Sequence, residues 1–272
     1  MNQSVFTEAD TEALFDDRQR DEHFRSFWDP EGSLHWGYFE NLAQAQAEDF
    51  LPACLRWDQY MLEQSGITAS SRVLEVACGS GNASIWLAKQ TGCEVVGIDL
   101  SSNQIDKALA KASNYPSVQV SFHKESATNL PFPNASFTHV WSQAALYHIP
   151  ALDQALAEAG RVLEKGGIFL FDDLVTPVEK ISETVRKYVY DRLLFEPKFS
   201  SKTYAEKLTQ LGFVVLQQID LSEHLEKSYE LVSELAREYY PDLSAAFKKT
   251  QEAIATGELG WCFYLCEKVS DL

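Results

Sequence analysis

Two acids flank a turn of small residues in VLEVACGSGNASIWLAKQTGCEVVGIDLSS, Val73 to Ser102. Glu75 stands just before Ala77-Cys78-Gly79-Ser80-Gly81, and Asp99 follows Glu75 by 24 residues at the end of the next apolar run. Small residues let a ligand lie against the backbone, and a helix starting after them leaves unpaired N–H groups pointing toward it. Asp99 is placed to accept hydrogen bonds from the vicinal hydroxyls of a ribose. Glu75 decides what else the ligand carries. A carboxylate there would repel a pyrophosphate but suits an ammonium or sulfonium. The pair therefore predicts a nucleoside with a cationic amino-acid tail. Further along, SQAALYHI brings His148 to the end of another apolar run, where a histidine can take a proton or orient an acceptor. Gln143, Tyr147 and Asp172, with Asp173 beside it, are the other candidates for acceptor contacts.

These residues need a scaffold, and the chain alternates in the way that provides one. Strand-like Val73–Ala77 precedes helix-like Ala83–Gln90; Glu94–Asp99 precedes Ser102–Ala112, opened by a Ser cap. Strands follow at Val118–His123 and Phe137–Ser142, then a helix at Asp153–Leu163 and a strand at Ile168–Phe171. Short apolar strands alternating with helices predict a parallel sheet covered on both faces. The end is different: helix Lys202–Leu211, strand Phe213–Ile219, polar helical sequence from Glu223 to about Ala255, and strand Trp261–Val269. Before the alternation, residues 1 to about 22 read as charged and helical or mobile. AQAQAEDFLPACLRWDQYMLEQ reads as a helix kinked at Pro52.

In an open parallel sheet, ligands sit beyond the carboxyl ends of the strands, where strand order reverses. The glycine turn, Asp99 and His148 all fall at such ends. S-adenosylmethionine is the ligand that answers the two acids. VLEVACGSG resembles the first motif of class I S-adenosylmethionine-dependent methyltransferases, with Ala77 where the first glycine usually stands. VVGIDLSSNQI resembles the second motif, LPFPNASFTHVWSQAALYHI the fourth-strand region, and RVLEKGGIFLFDD the junction into the fifth strand. The resemblance runs in order from Val73 to Asp173, and the ending is similar to the family's sixth and seventh strands. It implies an α/β, Rossmann-like, doubly wound seven-stranded sheet, mostly parallel with one antiparallel strand, plus helical caps.

The resemblance also implies cofactor contacts at Glu75, Ala77, Cys78, Gly79, Gly81, Asp99, Leu100 and Ser142. Where the family commonly has Gly-Asp-Ala before Leu-Pro-Phe, this chain has Glu125-Ser126-Ala127, so adenine recognition falls to the Ser126 hydroxyl and the Ala127 N–H. HWGYFE resembles the N-terminal cap of small-molecule methyltransferases that include sarcosine/dimethylglycine N-methyltransferases, tocopherol C-methyltransferases and cyclopropane fatty acid synthases. That likeness puts Trp36 and Tyr38 over the sulfonium, since aromatic faces favour cations. The expected organisation is a single methyltransferase domain, 1–272: a helical cap over 1–66, a cofactor core over 67–174, and acceptor-side helical inserts at 175–200 and 222–258.

Composition bounds the partners. A net charge of −17 argues against nucleic acid or an anionic membrane surface, which need clustered Lys and Arg. No run is long and apolar enough to span a membrane, and the polar, acidic N-terminus lacks the features of a signal peptide. Five cysteines, an odd number, suit reduced thiols in a cytoplasm. Cys262 and Cys266 have no second pair, so no metal is expected. The expected activity is methylation of a small acceptor, an amine first and an oxygen or carbon nucleophile second, by a chain for which a homodimer is a candidate assembly. The rivals are a non-catalytic binding protein of the same fold and a nicotinamide-dependent oxidoreductase, because Gly79-Ser80-Gly81 begins a GxGxxG completed only by Ser84.

Overall fold

Apolar runs with little alternation become the inner strands of one sheet. In a computed structural model describing residues 6–270, these are β1 (Arg72–Val76), β2 (Glu94–Asp99), β3 (Val120–Lys124), β4 (Phe137–Gln143) and β5 (Leu163–Val175). Residues 1–5 of the expected cap, and 271–272, lie outside the described residues. β6 (Phe213–Asp220) and β7 (Gly260–Lys268) complete a seven-stranded sheet of order β3-β2-β1-β4-β5-β7-β6. Only β7 runs antiparallel, between β5 and β6. The order reverses between β1 and β4, so a crevice opens at their carboxyl ends.

Helices α4 (Asn82–Thr91), α5 (Ser102–Ala112) and α6 (Leu152–Val162) make the crossovers. Ser101 caps α5 by accepting from the Gln104 N–H. β5 runs well beyond the four residues expected, because its second half pairs with β7 from Ile168 opposite Glu267 to Val175 opposite Gly260. Helix α9 (Ser201–Gln210), numbered after two short turns described below, leads into β6.

The caps account for most of the departures from expectation. The charged N-terminus is ordered as α1 (Glu8–Asp16) and α2 (Arg18–Phe27), with Thr7 and Asp10 forming a reciprocal capping box. Helix α3 begins only at Phe50 and runs to Ser65, leaving residues 43–49 of the expected helix outside it, with Ala47–Asp49 forming a 3₁₀ turn. Pro52 does not kink α3. It sits in the first turn, whose N–H groups have no intrahelical partner in any case. The segment after β5 holds α7 (Glu183–Val185), a π turn (Arg186–Tyr190) and α8 (Asp191–Leu193). The polar stretch before β7 is two helices, α10 (Ser222–Ala236) and α11 (Pro241–Ala255), separated where Pro241 starts a new first turn. Among the described residues, no helix is long and apolar enough to cross a membrane.

Candidate active site

The turn after β1 has the backbone its sequence requires. Gly79 and Gly81 have φ of +52° and +77°, and Ala77 adopts +56°, a left-handed conformation that costs an L-residue about 1–2 kcal/mol. A Cβ built on Gly79 would meet nothing within 4 Å, so the turn faces open space. That space is a cleft, partly open to solvent, at the carboxyl ends of β1, β2 and β4.

Asp99 braces the turn. Its carboxylate accepts from the Gly79 N–H at 2.9 Å and from the Ser101 N–H at 2.8 Å, tying the ends of β1 and β2 together. Burial pushes its pKa up while those two N–H groups pull it down. Glu75 accepts from the Ser84 hydroxyl in the first turn of α4. Burial raises Glu75 to about 8, with the Ser84 bond opposing the shift.

Ten of the expected residues line this one cleft: Glu75, Ala77, Cys78, Gly79, Asp99, Leu100, Ser126, Ala127, Gln143 and His148. Six do not. Gly81 is small for packing rather than for a ligand, because a Cβ there would lie 2.6 Å from the Phe122 ring. Ser142 is fully buried and donates to the Val76 carbonyl at 3.0 Å, joining β4 to β1. Trp36 turns into the core, with its ring 6.2 Å from Tyr147 and 5.4 Å from Trp261. Tyr38 packs on His224 and Tyr60 at 4.5 and 5.6 Å. Tyr147 is buried behind His148, its N–H held by Asp173 at 2.9 Å. Asp172 is fully buried. It accepts from the indole N–H groups of Trp57 and Trp261, at 2.9 and 2.7 Å, and from the Ala144 N–H, so it shapes the loop carrying His148. Burial raises Asp172 to about 6.

His148 borders the cleft, but not as a base of near-neutral pKa. Desolvation first, then the nearby Arg20 and Arg192, pull it down to about 3, so it stays neutral across the physiological range. Among the described residues, its Nδ1 is buried without a hydrogen-bond partner.

The sequence reading missed a lid and a second histidine. Glu8, Thr11 and Phe15 of α1 line the cleft from above. Glu8 accepts from Ser126 at 2.6 Å and Thr128 at 2.9 Å, placing a carboxylate in the region where Glu125-Ser126-Ala127 lacks the usual acid. Thr11 donates to the His148 carbonyl at 2.9 Å, and Asp16 accepts from Ser101 at 2.5 Å and from the Asn103 N–H. The Thr7–Asp10 spacing was the legible signal for this helix. His35 also lines the cleft, with its Nε2 3.6 Å from Asp58. Gln143 donates to the same Asp58 at 2.8 Å. Alternation along the extended HWGYFE segment sends His35 to the cleft and Trp36 to the core.

Similarity to known proteins agrees with this geometry. A family model described as Methyltransferase domain matches residues 74–171. The sterol 24-C-methyltransferase of Eremothecium gossypii is 32% identical over 188 residues, 65% of this chain and 49% of that protein. The glycine/sarcosine/dimethylglycine N-methyltransferase of Actinopolyspora halophila is 28% identical over 238 residues, 81% of this chain and 41% of that protein. The chain thus spans about half the length of the first curated relatives it matches. The crystal structure of the [4+2]-cyclase SpnF superposes with a TM-score of 0.81 at 21% identity, covering 99% of both chains.

Proposed function

We propose that this chain, whose residues 74–171 belong to the methyltransferase domain family and whose fold is that of class I S-adenosylmethionine-dependent methyltransferases, methylates a small-molecule acceptor. One observation carries the reading: Glu75, Gly79 and Asp99 line a single cleft at the strand-order reversal, in the arrangement that a cationic nucleoside needs. Bound S-adenosylmethionine supplies an electrophilic methyl group on sulfur. In this reading Asp99 accepts from the ribose hydroxyls, the Gly79 backbone lies against the amino-acid tail, and Glu75 neutralises its ammonium. The Ala127 N–H and the acids around Ser126 face the adenine. Residues 6–66 cover the cofactor, 67–174 hold it, and 175–200 with 222–258 close the acceptor side. Methyl transfer is an in-line displacement, so alignment and exclusion of water supply most of the catalysis. With its pKa pulled down to about 3, His148 is a weak base, and His35, 3.6 Å from Asp58, is a second imidazole on the cleft wall.

An amine acceptor is the first reading, supported by the likeness to the Actinopolyspora enzyme over most of the chain. The likeness to a sterol C-methyltransferase favours a carbon nucleophile as the second. Free, buried cysteines at all five positions suit a cytoplasmic setting. Calorimetry with S-adenosylmethionine and with NAD separates methyltransferase from oxidoreductase. Formation of S-adenosylhomocysteine across a panel of amines, phenols and isoprenoids tests turnover. Tight cofactor binding with no turnover on any of them would favour a non-methylating use of the fold, as the name of the cyclase illustrates.

A further inference from the structure

Seven rings and one guanidinium close a circuit on the roof side of the cleft. By centroid distance, His148 lies 4.0 Å from Tyr147, Tyr147 6.2 Å from Trp36, and Trp36 6.4 Å from Tyr229. Tyr229 lies 5.8 Å from Phe247, and Phe247 6.2 Å from Phe24. Arg20 bridges onward, 4.7 Å from the Phe24 ring and 5.4 Å from that of Phe15, and Phe15 meets His148 edge-on at 5.0 Å. Phe15 and His148 also line the cofactor cleft, so the circuit shares a wall with it. Arg192 joins from α8, its guanidinium 5.7 Å from the Phe247 ring and donating to Thr250 at 2.8 Å.

Asp17 favours the charged form of Arg20 from a distance, but neither arginine has a contacting acid among the described residues. Arg186, one turn earlier, pairs with both Asp191 and Glu196. Among the described residues, no carboxylate forms an ion pair with Arg20 or Arg192. Burial lowers the Arg20 pKa, Arg192 lowers it further, and both arginines act on His148. In a chain of net charge −17, two neighbouring guanidiniums in an aromatic setting reverse the local sign. Buried charge is ordinarily paired, and guanidinium is the group suited to binding carboxylate or phosphate by a two-point fork. Among the described residues, His148 Nδ1 and Trp36 Nε1 are buried without a hydrogen bond of good geometry, although Tyr229 lies close to Trp36 and the Leu193 backbone close to His148. A hydrocarbon acceptor would call for the aromatic rings but not for the arginines.

We propose that this circuit is the acceptor subsite and that the acceptor carries an oxyanion, a carboxylate or a phosphate, held by Arg20 and Arg192. The proposal rests on the methyltransferase reading above. The acceptor's anionic end lies against the guanidiniums, and its reacting atom points to the wall formed by Phe15 and His148. The aromatic faces suit a methylated ammonium at that end.

Titration calorimetry on the full chain loaded with S-adenosylhomocysteine tests it, with N,N-dimethylglycine, inorganic phosphate and inorganic diphosphate as probes. At least one probe should bind saturably, and Arg20→Gln and Arg192→Gln should each weaken that binding ~10-fold or more, as expected for loss of a charge-assisted pair. The conservative Arg20→Lys and Arg192→Lys should retain part of it, which separates lost charge from a damaged fold. S-adenosylhomocysteine affinity should stay within about twofold throughout. Binding of dimethylglycine alone identifies a carboxylate acceptor; binding of phosphate or diphosphate alone identifies a phosphorylated one. Binding of none, or binding unchanged in the Gln variants, overturns the proposal and leaves the methyltransferase reading standing. Loss of S-adenosylhomocysteine affinity in the Gln variants also overturns it, by assigning the arginines to the cofactor's own carboxylate. If the wild-type chain binds no S-adenosylhomocysteine, both readings fall together.

Discussion

The floor and the roof of the cleft are built by different means. The floor is strand-end backbone. Asp99 reaches Gly79 across 20 residues, and Glu75 reaches Ser84 across 9. The roof is assembled from distant pieces: Glu8 meets Ser126 across 118 residues, and Thr11 meets His148 across 137. A floor of this kind fixes one ligand, because turn, strand end and helix start impose its geometry. A roof of long-range contacts can change its side chains without disturbing the sheet. On the proposed function, cofactor choice belongs to the first and acceptor choice to the second.

Gly79→Val tests the floor most severely. The added side chain would project into the cleft, and its positive φ would strain a β-branched residue by about 1–2 kcal/mol. Cofactor affinity should fall by ~100-fold or more, about 2.7 kcal/mol, while the far-ultraviolet spectrum keeps its wild-type form. Normal affinity in a folded Gly79→Val protein would move the cofactor away from this turn.

Glu75 gives a finer test of the same floor. Its carboxyl titrates near 8 in the free protein, so at pH 7 it is mostly protonated. If it pairs with the cofactor's ammonium, binding at pH 7 must release a proton. Apparent affinity should then rise as pH increases from 6 to 7.5, by up to about tenfold per unit, because more of the free protein already carries the carboxylate. Calorimetry at pH 7 in two buffers of different ionisation enthalpy measures the proton directly, and Glu75→Gln should abolish its release. The same binding enthalpy in both buffers would mean that Glu75 does not change charge.

How much was legible in sequence follows the same division. The order of strands and helices from β1 to β5 and the cleft positions of Glu75, Gly79 and Asp99 were readable, because apolar periodicity and a turn of small residues are local properties. Ala77 shows the limit of motif matching: it holds the left-handed φ of +56° that a glycine would adopt without strain. The cap was legible only in part. HWGYFE was noticed for its aromatics, yet its cleft-facing member is His35, while Trp36 is core. Asp172 looked like a site acid from its strand-end motif. Continuation of β5 against β7 buries it instead, where two tryptophans and a backbone N–H satisfy it. Nothing local in the sequence tells an acid at a strand end from one three residues inside. Glu8 was equally hidden, because its partners lie more than a hundred residues away.

Glu8 supplies the smallest effect and the sharpest contrast with the floor. Helix α1 is held down at several points, but only some face the cleft. The Glu8 carboxylate accepts two hydroxyl bonds beside the end of the cleft proposed for the adenine, in a part-buried setting. The Glu12–Lys124 pair on the same helix is more exposed, with side-chain accessibilities of 34% and 45%. Exposed pairs contribute little, whereas a hydrogen bond to a charged group that is shielded from water contributes about 1 kcal/mol or somewhat more. Glu8→Ala should therefore weaken cofactor binding by ~3–10-fold, mainly through faster release, because the lid opens more often while the floor is intact. Glu12→Ala should leave both affinity and release rate near wild type. Stopped-flow displacement of a fluorescent cofactor analogue measures both rates. Equal, unaltered release in the two variants would mean that α1 merely packs over the cleft. Faster release in both by the same factor would mean that the whole helix, rather than its contact with the adenine end, retains the ligand.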